Sequence, residues 1–355
     1  MLKSLKIGIK GMQDLVINMQ DLSSEKEISN PLVSVKNNVT YNQDWPKISI
    51  ITPSFNQGIF IEDTIKSIVL QNYPNLEYLI FDGGSKDDTV SIIQKYEEYL
   101  YYWESMPDDG QAHAINKGFS KCTGDIVGWI NSDDMLLPES LFTIAKHYQK
   151  NKNLILLGDV ININFSNKTK KTIHQKNINF ENMIAPFITP LQWHQPGVFV
   201  PRQVLDPNLM LDESLRYLFD QDWMIRLLRV LEVSYIKQPV AIFRLHSKSK
   251  TVGEKFNWLS EQKVIVNRYW DYIPEKKKKK TLSYLEFFDA ANSLGVKNWN
   301  RKNGQIKLRK AFLINPKIFF SWNFLQFAIR SVLPYRFIDL GRRFLIKVNL
   351  FSPND

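Results

Sequence analysis

The chain has 355 residues, 44% of them hydrophobic and 13% aromatic, which is enough for one large packed domain or two modest ones and too apolar for default disorder. Its single cysteine, Cys122, excludes an internal disulfide and a cysteine-based zinc site, and fits a reducing, cytoplasmic setting. A formal charge of +10 asks for an anionic partner, with nucleic acid, anionic lipid or a phosphorylated small molecule as candidates.

Residues 1–45 show mixed polarity and no sustained period, and are read as an N-terminal leader without a secretory signal. Pattern begins at Ile48–Thr52, a β-branched run ended by Pro53 and therefore a buried strand running into a loop. Apolar residues at 61, 65, 68 and 69 predict a helix over 59–70, with Glu62 and Asp63 in the first turn where its dipole favours acids. Leu76–Phe81 is the next strand, Asp82-Gly83-Gly84-Ser85 a tight turn, and a helix is expected over 88–99. Ile126–Ile130 forms another strand, with Asn131-Ser132-Asp133-Asp134 just past its end. Such β-α alternation predicts parallel strands with helices on both faces, whose ligands bind beyond the carboxyl ends of the strands. Two strand ends thus deliver acids to one rim.

After Leu154 the segments become shorter and mixed, with strands expected over 154–164, 195–200, 233–236 and 241–245 and a helix over 222–231. Beyond about residue 254 the chain reads as helical. Its longest apolar run, 318–329, falls well short of the roughly 20 residues a bilayer crossing needs. Phe319, Phe320, Trp322, Phe324, Leu325 and Phe327 lie among basic residues, which suits either an anionic membrane surface or a face covering the rest of the protein. The basic excess includes the run Lys276–Lys280 and Arg330, Arg336, Arg342, Arg343 and Lys347.

Three acidic elements carry the chemistry. Neutralising a leaving diphosphate calls for a hard cation held by oxygen ligands, which the Asp133-Asp134 loop can offer; the same pair can instead cap the helix beginning near Pro138. Asp82 at its strand end can accept from a base N–H, or simply order a turn, while Phe55 can stack on a base or fill a core. Asp220 and Asp222 open a helix, either as catalytic carboxylate or as cap and i, i+4 partner of Arg226.

Together Ile48–Gln57, Ile80–Ser85 and Gly128–Asp134 resemble the signature of the inverting glycosyltransferases of family two, and Pro107–Gly118 is similar to the stretch that links those motifs. The resemblance covers residues from about 46 to about 250. It implies an α/β GT-A fold: a Rossmann-like nucleotide-binding half (46–150) with a mixed central sheet and an acceptor half (151–253); the helical C-terminal region (254–355) lies outside the resemblance. It further implies a nucleotide diphosphate sugar, a UDP-sugar first of all, held by Thr52, Pro53, Phe55, Asn56, Asp82, Asn116, Lys117, Asn131 and Ser132, with Phe55 and Asp82 on the base. Asp133 and His246 would hold Mg²⁺ or Mn²⁺, and Asp220 would deprotonate the acceptor hydroxyl in a single inverting displacement, Asp222 being the alternative base. Trp193, His194, Gln195 and Asp222 would face the acceptor, a glycan or lipid-linked hydroxyl in cell-surface polysaccharide or glycolipid synthesis. The expected location is cytoplasmic and peripheral on the inner face of the membrane, with no nucleic-acid partner.

The sequence departs from the family motif at Asn131, where an acid is expected, so one charge is missing near the metal. That departure motivates a second reading, a non-catalytic nucleotide-sugar-binding scaffold. A nucleotidyltransferase would need a glycine-rich loop with Arg and Lys after the first strand, where this chain has Pro53–Gly58.

Overall fold

The computed structural model describes residues 44–332 except 166–167, 190, 206, 247–248, 251–257 and 295–299. The leader up to residue 43, the basic residues beyond 332 and the boundary expected at 253/254 lie outside the described residues. Among the described residues nine strands form one mixed sheet, in the order Tyr102–Ser105, Leu76–Asp82, Ile48–Ser54, Ile126–Trp129, Val198–Pro201, Leu154–Asn164, Glu232–Leu245 and Met135–Leu136, with Thr169–Ile173 paired to Leu154–Asn164.

The first half follows the β-α alternation. β1 (Ile48–Ser54) is buried along its whole length and pairs in parallel with β2 (Leu76–Asp82) and β4 (Ile126–Trp129). Between them run α1 (Ile61–Val69), α2 (Thr89–Lys95) and α3 (Gln111–Lys121). The helix expected over 88–99 breaks: α2 stops at Lys95 and a single 3₁₀ turn, Glu97–Tyr99, leads to β3 (Tyr102–Ser105), an edge strand parallel to β2. α3 packs close on β1 because Gly118 has no side chain: a Cβ there would lie 2.6 Å from Ile51.

Beyond β5 (Met135–Leu136) and α4 (Ser140–Lys150) the sheet turns antiparallel and mixed. β6 (Leu154–Asn164) pairs with β7 (Thr169–Ile173) and with β8 (Val198–Pro201), and the short α5 (Phe180–Ile184) lies between those two partners. α6 (Phe219–Leu227) starts three residues earlier than the spacing suggests. The two strands expected near the end of this half are one, β9 (Glu232–Leu245), parallel to β6. Its register shifts opposite Gly158 and Asp159, where Pro239 supplies no N–H to the ladder and Lys237 and Gln238 are accommodated as a bulge. Proline therefore reads as a gap in sequence although the strand continues.

The main core joins both halves and extends past residue 254. α7 (Leu259–Arg268) contributes Leu259, Ile265 and Val266, joined by Tyr269 and Ile273, to the cluster that holds Trp129, Trp223 and Met224. This helix therefore belongs to the body of the domain. α8 (Glu275–Ser293), α9 (Arg301–Ile314) and α10 (Trp322–Val332) build a second cluster around Phe287, Leu308, Ile318 and Phe324. No described helix is long and apolar enough to cross a membrane.

Candidate active site

A cleft of about 960 Å³ opens over the carboxyl ends of β1 and β4, with Phe55, Asp133, Trp193, Gln195 and Asp220 among its walls. Phe55 is 60% exposed, so the aromatic face is available for stacking rather than spent on core packing.

The loop after β4 is held by a return of the chain from far away. β5 pairs antiparallel with β9, Met135 opposite Ile242, and this register carries Arg244 and His246 back to Asp133 and Asp134. His246 Nε2 lies 3.1 Å from Asp133 Oδ2, and its ring stacks on Phe60 with centroids 4.3 Å apart. Asp134 is fully buried and accepts from the Arg244 N–H and from Asn131 Nδ2. Burial, and then the adjacent Asp133 carboxylate, push its pKa well above the ordinary carboxylate value. Asn131 itself is a bridge: its Oδ1 accepts from Gln111 Nε2 at 2.7 Å while its amide donates to Asp134 at 3.2 Å. A carboxylate at 131 would set a second acid against Asp134, so that one of the two would have to hold a proton. Asn131→Asp is expected to cost about 1 kcal/mol or more, read as a lower denaturation midpoint, through the lost donor and the new like charge.

Two side chains, Asp133 and His246, therefore come together at the loop after β4; among the described residues no group of three His, Cys, Asp or Glu gathers as a metal cluster. Carboxylate plus imidazole suits Mn²⁺, and a hard cation commonly takes its remaining ligands from phosphate and water. The donor set fits such an ion.

Arg244, which sequence reasoning passed over, organises this corner. It is 1% exposed, and its guanidinium donates to the Asp133 and Phe60 carbonyls, to Thr64 Oγ1 and to Asp63 Oδ2. Burial pulls its pKa below the ordinary arginine value, opposed by Asp63, Asp134 and Asp133. It ties α1 to the loop that presents Asp133. Only a buried arginine inside an apolar strand pattern signals it in the sequence, and its partners are about 110 and 180 residues away.

Asp220 lies in the first turn of α6 and lines the cleft. Although partly open to the cleft, its carboxyl is ringed by protein, and this desolvation raises its pKa to about 6 against the backbone N–H groups of Gln221 and Asp220 and the charge of Lys250. The start of α6 is fixed from α7: Glu261 accepts from the backbone N–H groups of Arg216, Tyr217 and Leu218 at 2.8–2.9 Å. Glu261 was not anticipated, because nothing local marks a carboxylate that caps a helix more than 40 residues earlier.

Several expected site residues are placed elsewhere. Asp222 is wholly buried and bound to Arg226, Arg268 and the Tyr269 hydroxyl; it points into the core side of α6, so the acceptor or base role gives way to anchoring the helix. Asn116 and Lys117 line a separate cavity of about 530 Å³, where Asn116 bonds Leu211 and Glu213 and Lys117 pairs with Glu104. They face this second cavity, which shares Glu213 with the cleft, because the side of α3 turned to the core is taken by Ala114, Ile115 and Gly118. Asp82 is buried and takes four donors from its own surroundings: the Gly84 and Ser85 N–H groups and the Ser85 and Ser105 hydroxyls. It orders the turn, which Gly84 completes with φ 80°, Oδ2 taking three of these donors and Oδ1 one. Asn56, at φ 53°, knots the β1 loop to that turn by bonding Ser85 and Lys86, and Thr52 is buried against the Tyr78 hydroxyl. Pro53, Phe55, Asn131, Ser132, Asp133, Trp193, His194, Gln195 and Asp220 do share the cleft. Within it, burial lowers the His194 pKa to about 4, so that ring is neutral at pH 7.

Residues 49–205 match the family model described as Glycosyl transferase family 2. An uncharacterized glycosyltransferase of Rickettsia typhi is 24% identical over 267 residues, 74% of this chain and 82% of the relative. The GalNAc(5)-diNAcBac-PP-undecaprenol beta-1,3-glucosyltransferase of Campylobacter jejuni is 33% identical over 105 residues, 28% of this chain and only 34% of that relative. Among solved structures, residues 1–349 of S. aureus TarS in complex with UDP-GlcNAc superpose with a TM-score of 0.56 at 18% identity, covering 76% of this chain and 82% of that one. At that identity the likeness bears on the fold, which is the GT-A fold.

Proposed function

We propose that this chain, whose residues 49–205 match the Glycosyl transferase family 2 model, is a glycosyltransferase of that family and transfers a sugar from a UDP-sugar to a hydroxyl of a glycan or lipid-linked acceptor with inversion, Asp220 acting as general base. The observation that carries this reading is the carboxyl of Asp220, its pKa raised to about 6, standing in the same cleft as Asp133 and Phe55. A base poised near the working pH can take the acceptor proton as the new bond forms, while the diphosphate leaves on the opposite face. The binding of UDP-GlcNAc by a protein of like fold and the undecaprenol-linked substrate in the name of the Campylobacter relative support the donor and acceptor classes.

Asp133 and His246 would hold Mg²⁺ or Mn²⁺, which supplies positive charge to the departing diphosphate when bound. Phe55 stacks on the nucleobase; Phe55→Ala is expected to weaken UDP binding by about tenfold in calorimetry, the usual worth of a base–aromatic stack. The deciding experiment measures UDP release from a panel of UDP-sugars with Mn²⁺ and with EDTA. Metal-dependent turnover supports the proposal, and tight binding with no turnover over a broad acceptor panel would favour the scaffold reading instead.

The helical region adds a membrane contact to this reading. Phe320 and Trp322 are 86% and 70% exposed beside the exposed Lys317, whereas Phe324 packs inward, so the aromatic run is divided between a surface and a core. Flotation with phosphatidylglycerol vesicles is expected to carry the full chain, and Phe320→Ser with Trp322→Ser to reduce that fraction severalfold. Equal flotation of the double variant removes the contact.

A further inference from the structure

Buried polar atoms in folded proteins are nearly always paired, and those that are not need an explanation. Three such atoms without a hydrogen-bond partner lie in the cleft: Trp193 Nε1, a donor, and Ser54 Oγ and Gln195 Oε1, the last two on residues only 6% and 7% exposed. Their placement is topological. β1, β4 and β8 are adjacent in the sheet; Ser54 ends β1, and Gln195 leads into β8, which runs antiparallel to β4. The two residues therefore bracket the carboxyl end of β4, immediately before the loop that presents Asp133.

The orientation of Gln195 is set by chemistry. Its Nε2 donates to the Trp129 carbonyl at 2.9 Å, and a carbonyl can only accept, so the amide cannot be turned over. Oε1 is left as an acceptor with no donor. Ser54 Oγ beside the same loop can donate or accept. Among the described residues no protein group answers either atom, and the cleft is where a ligand would.

We propose that Ser54 and Gln195 form the floor of the subsite for the transferred sugar, Gln195 Oε1 accepting from a hydrogen-bond donor on the sugar ring, a hydroxyl or an acetamido N–H. A diphosphate resting at the Asp133 loop brings its attached sugar over the end of β4, between these two residues. This rests on the nucleotide-sugar reading above, and it moves Gln195 from the acceptor side to specificity for the donor. Because the pairing is made in a buried site, a sugar lacking the matching donor leaves Oε1 unmet and is rejected.

The test titrates UDP, UDP-glucose, UDP-galactose and UDP-N-acetylglucosamine into the full chain with Mn²⁺ present. The tightest-binding of the UDP-sugars is then compared with its analogues lacking one ring hydroxyl or the acetamido group at a time. In the wild-type chain one analogue is expected to bind about tenfold or more weakly. In Gln195→Met that analogue and its parent should bind alike, both weakened, with UDP affinity unchanged. Ser54→Ala provides a second variant that leaves the Gln195–Trp129 bond intact, and should likewise lose affinity for the UDP-sugar and not for UDP. Equal binding of every analogue to the wild type overturns the proposal. So does a penalty that survives Gln195→Met, or a UDP affinity that falls as far as that of the UDP-sugar. A wild-type chain that binds UDP but shows no discrimination among analogues sinks only the floor subsite. A chain that binds neither UDP nor any UDP-sugar sinks the reading of function as well.

Discussion

Replacing Asp220 with Asn is expected to lower the rate of sugar transfer by about 10²–10⁴-fold while leaving UDP affinity unchanged, since the residue is proposed to take a proton and to touch no part of the nucleotide. The wild-type enzyme should show kcat/KM rising with pH through about 6 and then levelling, because only the ionised carboxyl can act as base. A profile flat from pH 5 to 8 would sink the assignment.

The same group makes an opposite statement about stability. Its folded pKa stands above its ordinary value of 3.8, so the folded state binds the proton more tightly than the unfolded chain does. The folded protein is therefore penalised as pH rises from about 4 to about 6, and fully penalised above that. A neutral amide at this position carries no such penalty and keeps an oxygen for the Gln221 N–H. Asp220→Asn should accordingly be more stable than wild type at pH 7.5, by on the order of 1–3 kcal/mol, and the difference should shrink towards pH 4. A variant that is inactive and less stable at pH 7.5 would mean that Asp220 is a structural cap.

The second large effect is expected at Arg244. Arg244→Met strands the Asp133 and Phe60 carbonyls and leaves Asp63 without its buried partner. Breaking a buried charged cluster by removing one member costs about 3–5 kcal/mol, which for a chain of this size is a melting point lower by on the order of 10 °C. Arg244→Lys should recover little of it, because one ammonium cannot serve donors aimed at α1 and at the Asp133 loop together. Near-wild-type melting of Arg244→Lys would show that the planar fork is not what holds the corner.

The parts of this protein legible in its sequence are those whose cause is local. The buried strand β1, the β-α alternation and the acids at strand ends follow from side-chain periodicity and from turn residues, which act over a few positions. So Asp133, Phe55 and Asp220 stand out by residue type and motif position, although no local pattern says that Asp82 takes donors from its own turn and from Ser105. β3 was missed because Tyr102–Ser105 is short and half-buried, without a clean alternation. α3 was missed because its buried face is built largely from Ala and Gly, which leave little apolar signal.

What only the tertiary structure decided are the pairings made across long stretches of chain. The β5–β9 register alone brings Arg244 and His246 to residues 133 and 134. The Gln111–Asn131–Asp134 chain shows what the amide does where the resembled motif has an acid, and Glu261 on α7 sets the start of the helix that carries Asp220. Residue type alone does not separate Asp220 from Asp222, two residues apart in one helical turn; in the sequence only motif position favours Asp220. The rotation of α6 against the core turns one to the cleft and the other to Arg226 and Arg268, and that rotation is set by packing no local pattern records.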